Sequence, residues 1–288
     1  MVYLILFFGI CASSSGAILI KLCDAHPLVI AAYRMSISAT ILIPLSLARY
    51  RSDTLQLIRC RTLPVVGSGI ILALHFVTWI SSLSHTSVAS STLLVATNPV
   101  FVGLGVWLIL KERVHPRLVT GTAVALTGTL LISYSDLASG EHALYGDFLA
   151  VTGAVAVSGH LLIGRRLLQD SALIPYITSV YTIAAVVLVF LALSAGQNLF
   201  GHSLRDYFLF LALAVGPQLL GHSSFNYSLK QISPSVLALV LLAEPVGASL
   251  LAYFVLDEIP PSATYFGGSV IIIGVAIALM KQKQTVNT

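Results

Sequence analysis

The chain has 288 residues, of which 57% are hydrophobic and only 9% charged, with a mean hydropathy of +0.95. Soluble domains run near a quarter charged, so this composition excludes a soluble globular fold. The formal net charge of +4 is too small and scattered to suggest a nucleic-acid partner. The length accommodates about ten segments of ~20 apolar residues, each able to cross a bilayer as a helix.

In chain order, apolar runs separated by polar or Pro/Gly punctuation predict helical spans over 2–22, 27–48, 63–84, 88–110, 117–135, 146–164, 174–195, 207–229, 234–256 and 262–280. No Lys or Arg precedes the first run, so it reads as a span rather than a signal peptide. It carries Ser13-Ser14-Ser15-Gly16, a small-residue stretch of the kind that lets helices approach closely. The second run holds Arg34, the only strongly basic residue inside a span. It is a candidate partner for a substrate carboxylate, or an anchor for packing or gating. The third run places His75 and Trp79 one helical turn apart on a shared face.

Asn98-Pro99 sits in the middle of the fourth run. A mid-span proline removes a backbone hydrogen bond and kinks the helix, so Pro99 is a candidate hinge. Gly121 and Gly128 in the fifth run, and Ser158-Gly159 in the sixth, read as close-packing positions. His160 in the sixth run, and His222 with Asn226 in the eighth, add imidazole and amide groups at mid-span. Glu244 in the ninth run is the only acidic residue deep within a span, followed by a second candidate hinge, Pro245. A carboxylate at mid-membrane costs ~2.5–3.5 kcal/mol, so it should face the bundle interior. Its readings are a proton carrier, a counter-ion for a substrate ammonium, or a hydrogen-bonded support for the Pro245 break. Cys11, Cys23 and Cys60 have neither metal-ligand nor disulfide spacing and read as packing residues.

With the N-terminus inside, the cytoplasmic segments hold Arg49, Arg51, Arg59, Arg61, Lys111, Arg113, Arg117, Arg165, Arg166, Lys230, Lys281 and Lys283. The external loops hold only Lys21 and Arg205, so the positive-inside rule puts both termini in the cytoplasm. A multi-pass plasma (inner) membrane protein is expected, with the lipid bilayer as its solvent.

The chain also repeats itself. Ser82-Leu83, Ser87, Leu93, Pro99-Val100, Leu104, Glu112, Gly121, Val124 and Gly128 recur at one offset as Ser228-Leu229, Ser233, Leu239, Pro245-Val246, Leu250, Glu258, Gly267, Val270 and Gly274. Five spans per copy is an odd number, so the second copy enters the membrane from the opposite face. Lys111-Glu112-Arg113 in the first copy becomes Asp257-Glu258-Ile259 in the second, a charge change that suits opposite faces. The predicted fold is all-α, ten transmembrane helices in two inverted five-helix repeats, 1–135 and 146–280, with a short cytoplasmic tail, 281–288. Inverted repeats of this kind belong to transporters, with a site between the halves.

Through Leu74-His75-Phe76-Val77-Thr78-Trp79, Ser82-Leu83, Thr86-Ser87-Val88-Ala89, Asn98-Pro99-Val100-Phe101 and Leu110-Lys111-Glu112-Arg113, the chain resembles the EamA-type drug/metabolite transporters. Ala243-Glu244-Pro245-Val246 and Asp257-Glu258 carry the resemblance into the second half. The resemblance implies a ten-helix bundle with a central cavity, and a last helix of each half lying outside that cavity. It also implies small metabolites as substrates.

These readings combine into a secondary transporter of small organic metabolites, an exporter of amino acids or related amphipathic compounds, working by alternating access. The expected cavity residues are His75, Trp79, Asn98, His160, His222, Asn226 and Glu244, with a coupling proton on Glu244. Nothing resembles a nucleotide-binding loop or a catalytic triad, so transport rather than catalysis is expected, without cofactor or metal. The rival reading is a non-transporting helix bundle that binds haem or a metal, or acts as an enzyme, through His75, His160 and His222.

Overall fold

A computed structural model of the chain describes residues 1–110, 116–137 and 141–279. The basic segment Lys111–Arg113, with Glu112 of the repeat, and the 281–288 tail lie outside the described residues. Those residues are overwhelmingly helical and contain no strand. Helices are what lipid demands, because only intra-segment hydrogen bonds satisfy the backbone there.

The helices are α1 (Val2–Lys21), α2 (Pro27–Arg49), α3 (Arg51–Ser82), α4 (Val88–Val95), α5 (Asn98–Leu110), α6 (Pro116–Leu137), α7 (Glu141–Asp170) and α8 (Leu173–Ser194). There follow α9 (Leu204–Leu213), a π-helical stretch (Ala214–His222), α10 (Ser223–Ser228), α11 (Pro234–Val240), α12 (Ala243–Leu256) and α13 (Ser262–Leu279). Among the described residues, eight continuous or broken stretches are long and apolar enough to cross a membrane, and Val119–Ile132 and Ser262–Gly274 are shorter apolar helices.

Three features depart from uniform spans, each for a local reason. The segment before residue 63, expected as a loop, is helical from Arg51, and the axis breaks at Arg61 (φ −134°, ψ 29°). Pro64 cannot donate to the carbonyl four residues back, Cys60, which leaves the break there. The fourth run is interrupted at 96–97, before Pro99, and the ninth at 241–242, before Pro245. The eighth run widens into π-helix around Pro217, whose missing N–H cannot continue the α register. The carbonyl of Ala214, the first residue of that stretch, accepts a hydrogen bond from Ser38 Oγ at 3.2 Å.

A large apolar core joins α1–α3 to α7–α12. A smaller one joins Leu94 and Val100 to Ala125, Ile132, Ala150 and Ile271. α3 packs against α7 and α8, α2 against α8, and α1 against the π-helical stretch and α12. α6 and α13 pack mainly on each other. There a Cβ built on Gly128 would lie 2.6 Å from the Gly267 carbonyl, and one on Gly274 would lie 2.6 Å from the Gly121 carbonyl. Only glycine permits backbones to meet this closely.

Candidate functional site

The two broken helices converge with α3, α7 and the end of the π-helical stretch on one cavity. His75 and Trp79 reach it from α3, Thr92 and Asn98 from either side of the first break, and His160 from α7. His222 and Asn226 enter from the π-helical stretch and α10, and Leu241, Glu244 and Pro245 from the second break. All seven residues expected at a cavity line this one. Among the described residues, α6 and α13 supply none of its lining. Its volume is about 50 Å³, room for a few waters and too little for a metabolite.

Each break places a polar side chain at a new helix start. Asn98 opens α5, and Glu244 lies in the first turn of α12. The unpaired N–H groups of a helix start favour a carboxylate, so the break supports Glu244 where an unbroken span would not. Ser13 Oγ donates to Glu244 Oε1 at 2.6 Å, and Ser14 Oγ donates to the Glu244 carbonyl at 3.2 Å. α1 thus holds the carboxylate from across the bundle. In the other break, Asn98 Oδ1 is buried without a partner among the described residues, while its backbone carbonyl accepts from Ser158 Oγ at 3.0 Å.

The imidazoles are held individually. His75 Nδ1 lies 2.9 Å from the Gly153 carbonyl; since a carbonyl only accepts, that nitrogen carries the proton. The His75 ring stacks on Trp79 at 5.9 Å and 7°, and its centroid is 6.2 Å from that of His222. His160 Nδ1 pairs with Ser68 Oγ at 2.9 Å, and Ser68 also meets Tyr176 Oη at 3.0 Å. His160 Nε2 and Asn226 Oδ1 are buried without hydrogen-bond partners among the described residues. No three His, Cys, Asp or Glu side chains converge there in a way that would hold a metal ion, again among the described residues.

Arg34 stands just behind the lining and is fully buried. Its Nε donates to Gln218 Oε1 at 2.9 Å, and its guanidinium lies 4.2 Å from the Phe76 ring centroid and 5.7 Å from that of Trp79. These faces attract a cation. Nη1 and Nη2 have no hydrogen-bond partner among the described residues, and the Glu244 carboxylate is within Coulombic reach.

Sequence reasoning missed Gln218 and Ser13. Gln218 follows Pro217, so its neighbour in sequence marked the distortion that aims it at Arg34. Ser13 was visible only as part of a small-residue run.

A bundle of apolar helices, two of them broken beside a narrow cavity into which several polar side chains reach, defines a multi-pass membrane protein of the transporter type. The chain belongs to the EamA-like transporter family, which it matches over residues 1–134 and 144–280. It is 24% identical over 280 residues to "Uncharacterized transporter YwfM" of Bacillus subtilis, covering 90% of this chain and 88% of that one. An "Uncharacterized transporter" of Archaeoglobus fulgidus is 22% identical over 225 residues, 77% of this chain and 76% of its own. Human "Solute carrier family 35 member G1" is 26% identical over 168 residues, 54% of this chain and 45% of its own. A solved crystal structure with a TM-score of 0.71 and 21% identity covers 96% of this chain and 97% of its own, a likeness of fold.

Proposed function

We propose that this membrane transporter carries small organic metabolites by alternating access between two inverted five-helix halves, 1–135 and 146–280. Its best-supported direction and substrate class is export of amino acids or related amphipathic compounds from the cytoplasm across the plasma membrane, with both termini cytoplasmic. The observation that carries the reading is the convergence of His75, Trp79, Asn98, His160, His222, Asn226 and Glu244 on one cavity between two helix breaks. Glu244 serves as the site for a substrate ammonium or a coupling proton, and Arg34, with both terminal NH2 groups buried and unpaired among the described residues, as the anchor for a carboxylate.

The packing supports two related halves. Exchanging the copies at the repeat offset turns the contacts of α1 with the π-helical stretch and α12 into those of α7 with α3 and α5. The α2–α8 and α6–α13 pairs map onto themselves under the same exchange. Basic residues on opposite ends of the two copies favour the inverted arrangement. Pro99 and Pro245, beside equivalent breaks, act as hinges that widen the cavity when either half rocks.

The test is counterflow of labelled amino acids in proteoliposomes. Saturable exchange, stimulated by unlabelled substrate on the opposite side, is expected. Absence of exchange for every amino acid tried overturns the substrate class, and unsaturable flux overturns the carrier.

A further inference from the structure

Away from the central cavity, a second opening of about 310 Å³ lies between α2, α3 and α8. It is roughly twice the ~150 Å³ of an apolar cavity that takes up a benzene ring, so it suits a longer hydrocarbon. Ile43, Leu47, Ile58, Val65, Val66 and Ile183 make it almost wholly apolar. It owes its shape to the break at Arg61, which separates the first turns of α3 from the rest of that helix. Ser46 Oγ and Thr54 Oγ1, 2.8 Å apart, hold those first turns against α2.

Charge flanks the groove along the chain. Arg49 follows its lining residues Ser46 and Leu47, Arg51 precedes Thr54, Arg59 follows Ile58, and Arg61 precedes Thr62, all four arginines exposed. Arg61 pairs with Asp170 at 3.6 Å. Among the described residues, no ion pair involves Arg49, Arg51 or Arg59. Leu55, Ile58 and Leu63 are exposed on the same helix, as in a segment lying at a membrane interface. Thr178, five residues or about 7–8 Å into α8, also lines the groove, but its Oγ1 is buried, so the wall there is apolar. From the end inward the groove thus offers cations and then hydrocarbon.

We propose that this groove binds an anionic phospholipid, one acyl tail lying along Ile58, Val65 and Ile183, and the phosphate held by Arg49, Arg51 and Arg59. A basic residue beside an anionic headgroup is worth ~1 kcal/mol, which corresponds to roughly fivefold in affinity for each arginine.

The test is thermal unfolding of the detergent-purified full chain with added phosphatidylglycerol, phosphatidylcholine or inorganic phosphate. Phosphatidylglycerol should raise the melting temperature well above phosphatidylcholine, and inorganic phosphate should not raise it. Equal effects of the two lipids overturn the proposal, as does an equal effect of free phosphate. Arg49→Gln, Arg51→Gln and Arg59→Gln should each weaken phosphatidylglycerol roughly fivefold and together abolish its advantage. Thr62→Trp, an exposed position that fills the groove, should suppress the response to both lipids. Should that variant not fold, native mass spectrometry of wild type and the triple arginine variant decides: a retained phosphatidylglycerol adduct in wild type only is expected, and equal retention overturns the site.

Discussion

Ser13 and Glu244, 231 residues apart in the chain, meet over 2.6 Å, with the serine hydroxyl donating to the carboxylate. The contact ties the middle of α1 to the first turn of α12, where Glu244 lines the central cavity. Hydrogen bonds to charged groups contribute about 1.5–3 kcal/mol, so this bond weighs on any motion that separates the two helices. Ser13→Ala should lower transport about tenfold, whereas Ser13→Thr, which keeps the hydroxyl, should retain most of it. Counterflow rates in proteoliposomes check both.

Glu244→Gln preserves shape and hydrogen bonding but removes the charge. Accumulation driven by a pH gradient should disappear while substrate counterflow persists. Unchanged pH-dependent uptake in the variant would show that no coupling proton travels on Glu244.

Arg34→Lys keeps the positive charge but loses the planar group over Phe76 and the bond to Gln218. The variant should fold and bind carboxylate-bearing substrates about tenfold more weakly, through KM. Arg34→Ala should instead cost about 3 kcal/mol of stability, because a large buried side chain is lost and Gln218 is left without its partner. Denaturant or thermal unfolding in detergent distinguishes the two effects.

Cys23 lies just outside α1, with Asp206 and Asp24 nearby. Burial first, and Asp206 second, push its thiol up to about 12. The thiolate is the reactive form, so at pH 8 only about one Cys23 in ten thousand is reactive. Maleimide should label Cys60 readily and Cys23 very slowly, with the Cys23 rate rising tenfold per pH unit. Asp206→Asn should speed it, since the aspartate charge opposes ionisation. Mass spectrometry of peptides after timed labelling reads both rates.

Gly128 and Gly267 let α6 and α13 touch backbone to backbone. Gly267→Val should destabilise the protein by about 2 kcal/mol through overpacking. Substrate KM should stay unchanged, because neither helix lines the cavity among the described residues. A fall in detergent melting temperature with an unaltered KM is the expected pair of results.

The sequence by itself determined that this is a helical membrane protein, because charge is too scarce for any other solvent. It also determined which polar residues lie in apolar runs. His75, Trp79, Asn98, His160, His222, Asn226 and Glu244 could be picked out from one chain, since a polar group in hydrocarbon must face protein. Pro99 and Pro245 marked where the helices break, because a proline cannot donate the bond that would continue them. The helix from Arg51 to Cys60 was hidden, since its arginines lower the local hydropathy although its apolar residues recur with helical spacing. Only the tertiary structure decided that Ser13 holds Glu244, that Gln218 holds Arg34, and that the lining residues meet around a space too small for a substrate. Those contacts join residues 184 and 231 positions apart. Their distances depend on how whole helices cross, which packing fixes and local sequence does not encode.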